Sequence, residues 1–294
     1  MFKILKSFSC AVALFGVASV LGGCDLVMFN PKGAIGLEQA RIITIAFILM
    51  MLIVVPVIIM TIVIAWRYRA SNPRAKYDPE WSHSTTLEIL CWGIPCIIIC
   101  ILGTIAWVTS HTLDPYRPLD STTKPLTIQA VALDWKWVFI YPEQGIATIN
   151  YIDIPVNTPI SFQVASEGPM NALWIPQLGG QVYAMAGMRT RLHLIANEAG
   201  IYDGGSASYS GEGFAEMNFK VKAESAEDFA HWVESVKASP HGLTADKFNE
   251  LIKPSINVPI QYFSSIAPHL FHDEIMKFMM PMGSDCSPTM SLSE

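Results

Sequence analysis

Two long hydrophobic runs without a charged residue constrain this chain more than any other feature of its sequence. The runs cover residues 42–66 and 89–109. A membrane-spanning helix needs about 20 apolar residues, because the hydrocarbon core of a bilayer is about 30 Å thick. Only 15% of the residues are charged, whereas a soluble domain usually contains about 25%. The sequence therefore predicts transmembrane helices over 42–66 and 87–109.

A shorter hydrophobic segment at the N-terminus predicts a signal peptide over 1–23. Two lysines precede the apolar run 8–21, which is too short for a membrane span. The run ends in Leu-Gly-Gly-Cys, whose last residue is Cys24, and Asp25 follows. This motif resembles the lipobox of bacterial lipoproteins, in which the cysteine is acylated, and Asp25 resembles an inner-membrane retention signal. We therefore expect lipidation of Cys24, with a chance cysteine as the alternative.

Positive charges predict the orientation of the two spans. The loop 67–86 contains four basic residues, and each outer flank has only two near its span. Because Lys and Arg concentrate on the cytoplasmic side, we expect the loop in the cytoplasm and both 24–41 and everything after residue 110 in the periplasm. The predicted location is the bacterial inner membrane. The net charge of −6 offers no polycation for nucleic acid.

From residue 126 onward, short alternating segments predict strands. Trp135, Trp137, Phe139 and Tyr141 fall on one face, and polar residues lie between them. Further strand-like segments lie at 152–154, 160–164, 192–195 and 214–221. About 100 residues of short strands separated by turn signals are typical of a β-sandwich or barrel.

The region 223–280 has a different character. Ser225 begins a capping box with Asp228, and apolar residues then recur at helical spacing. Thr244 is placed to cap a second short helix that ends before Pro254. The rest is rich in Phe, Met and His and predicts a tail that packs on another surface. The last residues, 281–294, are expected to be disordered.

Two spans followed by an outer β-domain resemble subunit II of the haem–copper respiratory oxidases. The segment 135–141 looks like the aromatic strand of that family, and 174–179 looks like its proline-containing turn. The stretch 207–211 lies where the family's copper loop would be. The resemblance extends from about residue 24 to 280. It implies a membrane α plus all-β chain: a two-helix hairpin, a cupredoxin-like β-sandwich over 110–222 and a short C-terminal helical tail.

The same resemblance identifies five positions of a vestigial copper site. In the cytochrome c oxidases of the family the loop reads Cys-x3-Cys-x3-His-x2-Met, and a further His precedes the proline turn. Soft sulfur and nitrogen ligands of this kind suit copper. The corresponding residues here are Asn171, Ser206, Ser210, Phe214 and Met217. Both thiolates and both imidazoles are replaced, so we expect no metal on this chain.

The missing ligands favour one branch of the family. Without a copper pair the outer domain cannot take electrons from cytochrome c. The chain therefore resembles subunit II of the cytochrome bo-type ubiquinol oxidases, and 183–188 and 192–198 also look like this branch. The resemblance implies a subunit of a proton-pumping enzyme that passes electrons from ubiquinol to oxygen. Haem, copper and ubiquinol are then expected on subunit I, and the expected partners are subunit I, the other subunits and membrane lipid.

Glu88 is the candidate for chemistry on this chain. It lies at the cytoplasmic start of the second span, seven residues before Pro95. The resemblance implies a glutamate at the mouth of a proton channel, and a carboxylate at a membrane boundary can collect protons. The alternative is an ordinary glutamate that the helix dipole stabilises. Trp135 receives electrons in copper-bearing relatives but is expected to be a core or interface residue here.

Two other functions compete with this interpretation. A copper-bearing electron-entry subunit would need the Cys-x3-Cys loop, which Ser206 and Ser210 contradict. A free-standing cupredoxin-like membrane lipoprotein, or an oxidase assembly factor, is the second alternative, but it gives no reason for Glu88. His269 and His272 could suggest a metal site, because their i, i+3 spacing predicts both imidazoles on one helix face. No third ligand is evident, however, and surface or interface histidines are commoner.

Overall fold

Two long helices open the computed structural model, which describes residues 26–76, 78–121 and 123–279. Helix α1 extends over Ala34–Arg67 and helix α2 over Thr85–Thr112. Each contains its predicted span, and each is long and apolar enough to cross a membrane. Only Gly36 in α1 and Ile98 in α2 are buried. The predicted signal peptide, Cys24 and the predicted tail 281–294 lie outside the described residues.

Eleven strands in the described part of the chain form two sheets. Their bounds are β1 Leu126–Leu133, β2 Lys136–Tyr141, β3 Ile146–Ile149, β4 Tyr151–Pro155, β5 Ile160–Ser166, β6 Asn171–Trp174, β7 Val182–Ala184, β8 Thr190–Leu194, β9 Gly200–Ser206, β10 Asn218–Glu224 and β11 Gln261–Phe263. One sheet has the order β11-β3-β2-β1-β5-β8, and the other has the order β4-β10-β9-β6-β7. Two pairings, β1 with β5 and β4 with β10, are parallel. The predicted β-sandwich is confirmed.

The main core lies between the two sheets. Trp137, Phe139 and Tyr141 alternate along β2 and are fully buried in it. The ring of Phe139 meets that of Phe219 on β10 edge-on, with centroids 5.0 Å apart, an arrangement that adds to the stabilisation from burial. The period-two pattern of the sequence therefore identified the inner face of this strand.

A second core covers the opposite face of the same sheet. Val138 and Ile140 of β2 contribute to it, together with Phe248 and Phe263 from the C-terminal region. The tail was predicted to pack on another surface, and in the structure it packs on the β-domain of the same chain. Lys136 is also buried, and its Nζ donates to the carbonyl oxygens of two residues, Asp134 and Lys253, both at 3.0 Å. This strand has no solvent-exposed face.

Two strand predictions included residues that lie in turns. Trp135 does not belong to β2, because its φ of 66° places it in the turn before the strand. The predicted strand 214–221 begins only at Asn218, since Phe214–Glu216 form a single 3₁₀ turn. In both places a local turn interrupts an apolar pattern that continues in sequence.

Three helices follow β10, and β11 lies between the second and the third of them. Helix α3 is Ala226–Lys237, α4 is Ala245–Leu251 and α5 is Leu270–Met279. The first two begin at the predicted caps, where the Ser225 hydroxyl accepts from the N–H of Asp228 at 3.1 Å and that of Thr244 accepts from Lys247 at 3.2 Å.

Helix α5 lies within the predicted C-terminal helical tail, although its bounds were not predicted, and it begins just after one of the two candidate histidines. His269 precedes the helix with a φ of 60°. His269 and His272 therefore do not share a helix face, and the premise of a metal site at these residues was wrong.

The membrane helices join the sandwich through backbone hydrogen bonds. The N–H of Lys32 donates to the carbonyl of Gln177 at 2.8 Å, and that of Gly36 donates to Leu178 at 3.0 Å. After α2, the carbonyl of Pro115 accepts from the N–H of His193 at 3.2 Å. Both ends of the hairpin are thereby tied to the same part of the β-domain.

Candidate functional site

Asn171 and Ser206, two of the five predicted copper-site positions, meet at a corner of the second sheet. Asn171 opens β6, Ser206 closes β9, and these two strands pair antiparallel. The Ser206 hydroxyl donates to Asn171 Oδ1 at 3.0 Å, and Asn171 Nδ2 donates to the carbonyl of Pro169 at 3.0 Å. Asn171 is buried, so this hydrogen-bonded pair satisfies polar groups that would otherwise be costly to bury.

Ser210 belongs to a loop that packs on Trp135. The indole Nε1 of Trp135 donates to the carbonyl oxygen of Ser210 at 3.2 Å. The ring lies against Gly213, where an added Cβ would come within 2.6 Å of it. Ser210 Oγ is buried and has no hydrogen-bond partner among the described residues. Trp135 therefore acts as the packing residue that the sequence indicated.

The remaining two positions lie beside the loop. Phe214 is half-buried in the 3₁₀ turn, and its ring centroid is 5.6 Å from that of Tyr209. Met217 is buried in the main core, and its carbonyl oxygen accepts from the N–H of Ser206 at 3.3 Å. The thioether of Met217 is thus a core group.

The donor set at these positions does not fit copper. It consists of an amide, two hydroxyls, a phenyl ring and one thioether. Copper sites in proteins rely on thiolate and imidazole ligands. Within residues 26–76, 78–121 and 123–279 no three His, Cys, Asp or Glu side chains cluster as a metal site would require.

Comparisons with known proteins decide the family. The chain is 55% identical over 277 residues to cytochrome bo(3) ubiquinol oxidase subunit 2 of Pseudomonas aeruginosa, covering 94% of this chain and 82% of that protein. It is 47% identical over 272 residues to ubiquinol oxidase subunit 2 of Acetobacter aceti, covering 92% and 88%. This chain belongs to the ubiquinol oxidase subunit II family.

Two further similarities concern parts of this subunit II. Residues 237–282 match the family described as COX Aromatic Rich Motif. The periplasmic domain of subunit II of cytochrome oxidase from Bradyrhizobium japonicum aligns with 39% of this chain and 96% of its own length, at 25% identity and a TM-score of 0.37. The ubiquinol oxidase relatives confirm the resemblance drawn from the sequence. The structure confirms the predicted order of two apolar helices, a β-sandwich and a short helical tail.

Glu88 lies in the first turn of helix α2 of this subunit II. Its backbone N–H donates to the carbonyl of Ser84 at 3.0 Å, and its side chain is exposed. A carboxylate here is stabilised by the helix dipole. This geometry is compatible with both predicted roles, the proton collector and the ordinary interfacial glutamate.

A buried carboxyl group was missed by the sequence analysis. Asp153 on β4 is fully buried, and its Oδ2 accepts from the hydroxyl of Tyr151 at 3.0 Å. Its Oδ1 has no partner among the described residues. Burial, together with the negative charge of Glu224, raises the pKa of Asp153 to about 7. The one available signal was an acidic residue in the otherwise apolar segment 151–155.

Aromatic residues enclose this carboxyl group. The hydroxyl of Tyr141 donates to the carbonyl oxygen of Asp153 and accepts from its N–H, both at 3.0 Å. Trp232 of α3 covers the site, with its ring centroid 5.5 Å from Tyr141 and 6.1 Å from Tyr151. This enclosure has the character of a structural polar cluster, because the side chain of Asp153 is fully buried among aromatic residues.

Proposed function

We propose that this chain is subunit II of a proton-translocating ubiquinol oxidase and that it holds no redox centre of its own. The observation that carries the proposal is the hydrogen-bonded pair of Asn171 and Ser206. By the resemblance, these positions hold copper ligands in relatives that receive electrons from cytochrome c. The 55% identity to a subunit named for ubiquinol oxidation supports the same assignment.

In this proposal the redox chemistry takes place on subunit I. Haem and copper there would carry electrons from ubiquinol to oxygen. The chain itself contributes α1 and α2, whose side chains are almost all unburied within the described structure. Such apolar helices pack against lipid and other membrane helices. The β-sandwich would then brace the outer face of the complex, in the periplasm.

Gentle purification from membranes tests this function. We expect haem to co-purify with the chain and the preparation to consume oxygen when ubiquinol is supplied. Copper bound by the β-domain would contradict the proposal, because the proposal assigns this domain no copper ligands. A chain that elutes alone would instead favour the free-standing lipoprotein or assembly factor.

We further propose that Glu88 collects protons at the cytoplasmic entrance of a path into subunit I. Its exposure at the start of α2 supports this role, because a carboxylate there can exchange protons with water and with buried groups. In proteoliposomes, Glu88→Gln should lower the number of protons pumped per electron, whereas Glu80→Gln in the preceding loop should leave it unchanged. If Glu88→Gln left the number of protons pumped per electron unchanged, Glu88 would be an ordinary interfacial glutamate that the helix dipole stabilises.

Acylation of Cys24 completes the proposed location in the inner membrane. A lipid anchor adds to the hold of two spanning helices but is not needed for it. Cells grown with labelled palmitate should label the wild-type chain but not Cys24→Ser, and Cys91→Ser in α2 serves as the control. Equal labelling of Cys24→Ser would rule out this residue as the acylation site.

A further inference from the structure

A small pocket lies where both membrane helices reach the sandwich. Its volume is about 260 Å³, several times the ~30 Å³ that one water molecule occupies in the liquid. Helix α1 contributes Ile35 and Gln39, the end of α2 contributes Thr112 and Leu113, and β8 contributes His193. The loop that follows α2 closes the remaining side. The pocket is therefore built from both ends of the hairpin together with the β-domain.

Its position along the helices corresponds to the headgroup layer of a bilayer. Gln39 precedes the uncharged run of α1 by three residues, and Thr112 follows that of α2 by three residues. Because a helix rises 1.5 Å per residue, each residue lies about 4.5 Å beyond the end of its uncharged run. The polar layer extends roughly 5–8 Å on each side. The polar part of a phospholipid is thus the group that this pocket faces.

The charges of the closing loop suit a zwitterionic group. The Arg117 side chain is 54% exposed, and its ion pair with Asp120 is long, at 4.0 Å. An exposed pair of this length contributes little, so the guanidinium can bind phosphate through two parallel hydrogen bonds. Asp114 also lines the pocket. With one cation and two carboxylates, the loop favours a headgroup that combines phosphate with an ammonium group over a purely anionic one.

The remaining lining complements this charge pattern. Burial and the neighbouring Arg191 lower the pKa of His193, so its ring is neutral at neutral pH and can donate one N–H without adding charge. Leu113, Leu119 and Leu192 also line the pocket. These apolar side chains are suited to the ester region and first methylene groups of a lipid.

We propose that this pocket binds the headgroup of a phospholipid that carries a phosphate and a primary ammonium. The phosphate lies on Arg117, and the ammonium lies on Asp114 and Asp120. This inference depends on the hairpin crossing a bilayer and is independent of quinol oxidation. It can therefore fail while the proposed function stands, and the reverse is also true.

Photo-cross-linking of the full chain, purified with its bound subunits and placed in nanodiscs, tests the proposal. The discs contain photoactivatable phosphatidylethanolamine or phosphatidylglycerol at equal amounts, and mass spectrometry quantifies cross-links to 112–120. We expect phosphatidylethanolamine to give at least five-fold more product. Arg117→Gln should lower that product at least five-fold, and Asp114→Asn combined with Asp120→Asn should shift the preference to phosphatidylglycerol.

Lys124→Gln is the matched control, because Lys124 lies beyond the pocket and pairs with Glu143 at 2.9 Å. Its cross-linking should equal that of the wild type. Equal yields from the two lipids, or an unchanged yield in Arg117→Gln, would show ordinary bulk lipid and overturn the proposal. The absence of any product at 112–120 would overturn it as well, because another subunit would then fill the pocket. Thermal unfolding of each variant verifies that it is folded.

Discussion

The helical hairpin and the β-sandwich are both built from apolar sequence, yet they differ in what covers it. Of the 34 residues of α1 only Gly36 is buried, and of the 28 residues of α2 only Ile98 is buried. In β2, by contrast, all six residues are buried. The sandwich therefore supplies its own apolar environment, whereas the hairpin needs lipid or other helices. Substitutions of equal size should have unequal consequences in the two regions.

The largest difference is expected for truncation of a phenylalanine in each region. Phe139 is fully buried in the main core, and Phe47 on α1 is 61% exposed. Phe139→Ala should lower the free energy of unfolding by about 3–5 kcal/mol, because it removes buried area and leaves a cavity. Phe47→Ala should change the unfolding of the β-domain little. Urea denaturation of the full chain in detergent, followed by tryptophan fluorescence, measures both.

A similar loss of stability in both variants would contradict this comparison. It would mean that the hairpin and the sandwich unfold as one cooperative unit. A negligible effect of Phe139→Ala would mean that the core around β2 rearranges to close the cavity.

Gly33, at the boundary of the two regions, provides the next test. A Cβ at this position would lie 2.3 Å from the carbonyl oxygen of Ile195 and 2.9 Å from that of Leu178. Because backbone cannot move aside cheaply, Gly33→Ala should cost about 2–3 kcal/mol. Gly103 in α2 has nothing within 4 Å, so Gly103→Ala should be neutral or slightly stabilising. Thermal unfolding compares the two variants, and equal midpoints would mean that the junction is not rigid.

The buried carboxyl group of the sandwich predicts a pH dependence that the hairpin lacks. Below pH 4 Asp153 is protonated in both folded and unfolded chains. As pH rises toward 7 the unfolded chain ionises first, because the pKa of the folded group is raised to about 7. The contribution of Asp153 to stability is therefore lost over this window.

Asp153→Asn removes this titration. The free energy of unfolding of the variant minus that of the wild type should be about 2 kcal/mol larger at pH 8 than at pH 4. Urea unfolding at both pH values provides the measurement, and Asp203→Asn on β9 is an exposed control. Parallel stability curves for wild type and Asp153→Asn would show that the pKa of Asp153 is the same in the folded and unfolded chains.

The smallest effect concerns the cap of α3. Ser225→Ala removes the acceptor for the N–H of Asp228 and should cost about 1 kcal/mol. Ser235 lies within the same helix, where its hydroxyl donates to the carbonyl of Trp232, and Ser235→Ala should have little effect. Thermal unfolding of both variants tests the difference. If Ser235→Ala lost more stability than Ser225→Ala, the hydrogen bond inside the helix would matter more than the cap.

The sequence could predict features that depend on neighbouring residues alone. The lengths of the apolar runs indicated both helices, and Ser225 and Thr244 marked two further helix starts. The alternation of Trp137, Phe139 and Tyr141 identified their shared face. In the same way, the residue types at Asn171 and Ser206 alone predict that copper ligands are missing at these positions.

Features that depend on distant segments could not be predicted in this way. Alternation shows which residues share a face but not what covers the opposite one, so the burial of Lys136 beneath the C-terminal region was unforeseen. The environment of Asp153 depends on β10, whose Lys222 lies opposite it in register. The left-handed turns at Trp135 and His269 are backbone choices that side-chain periodicity does not encode.

The junction at Lys32 has a consequence for biosynthesis. Lys32 accepts from the N–H of Asn197 and donates to Gln177, so its partners are made about 150 residues later. At the usual 5–20 residues per second, the ribosome needs roughly 8–30 s to supply them. During that interval the first-made segment is already at the membrane without its final neighbours. Docking of the hairpin onto the sandwich therefore has to wait until the segment with Gln177 and Asn197 has been made.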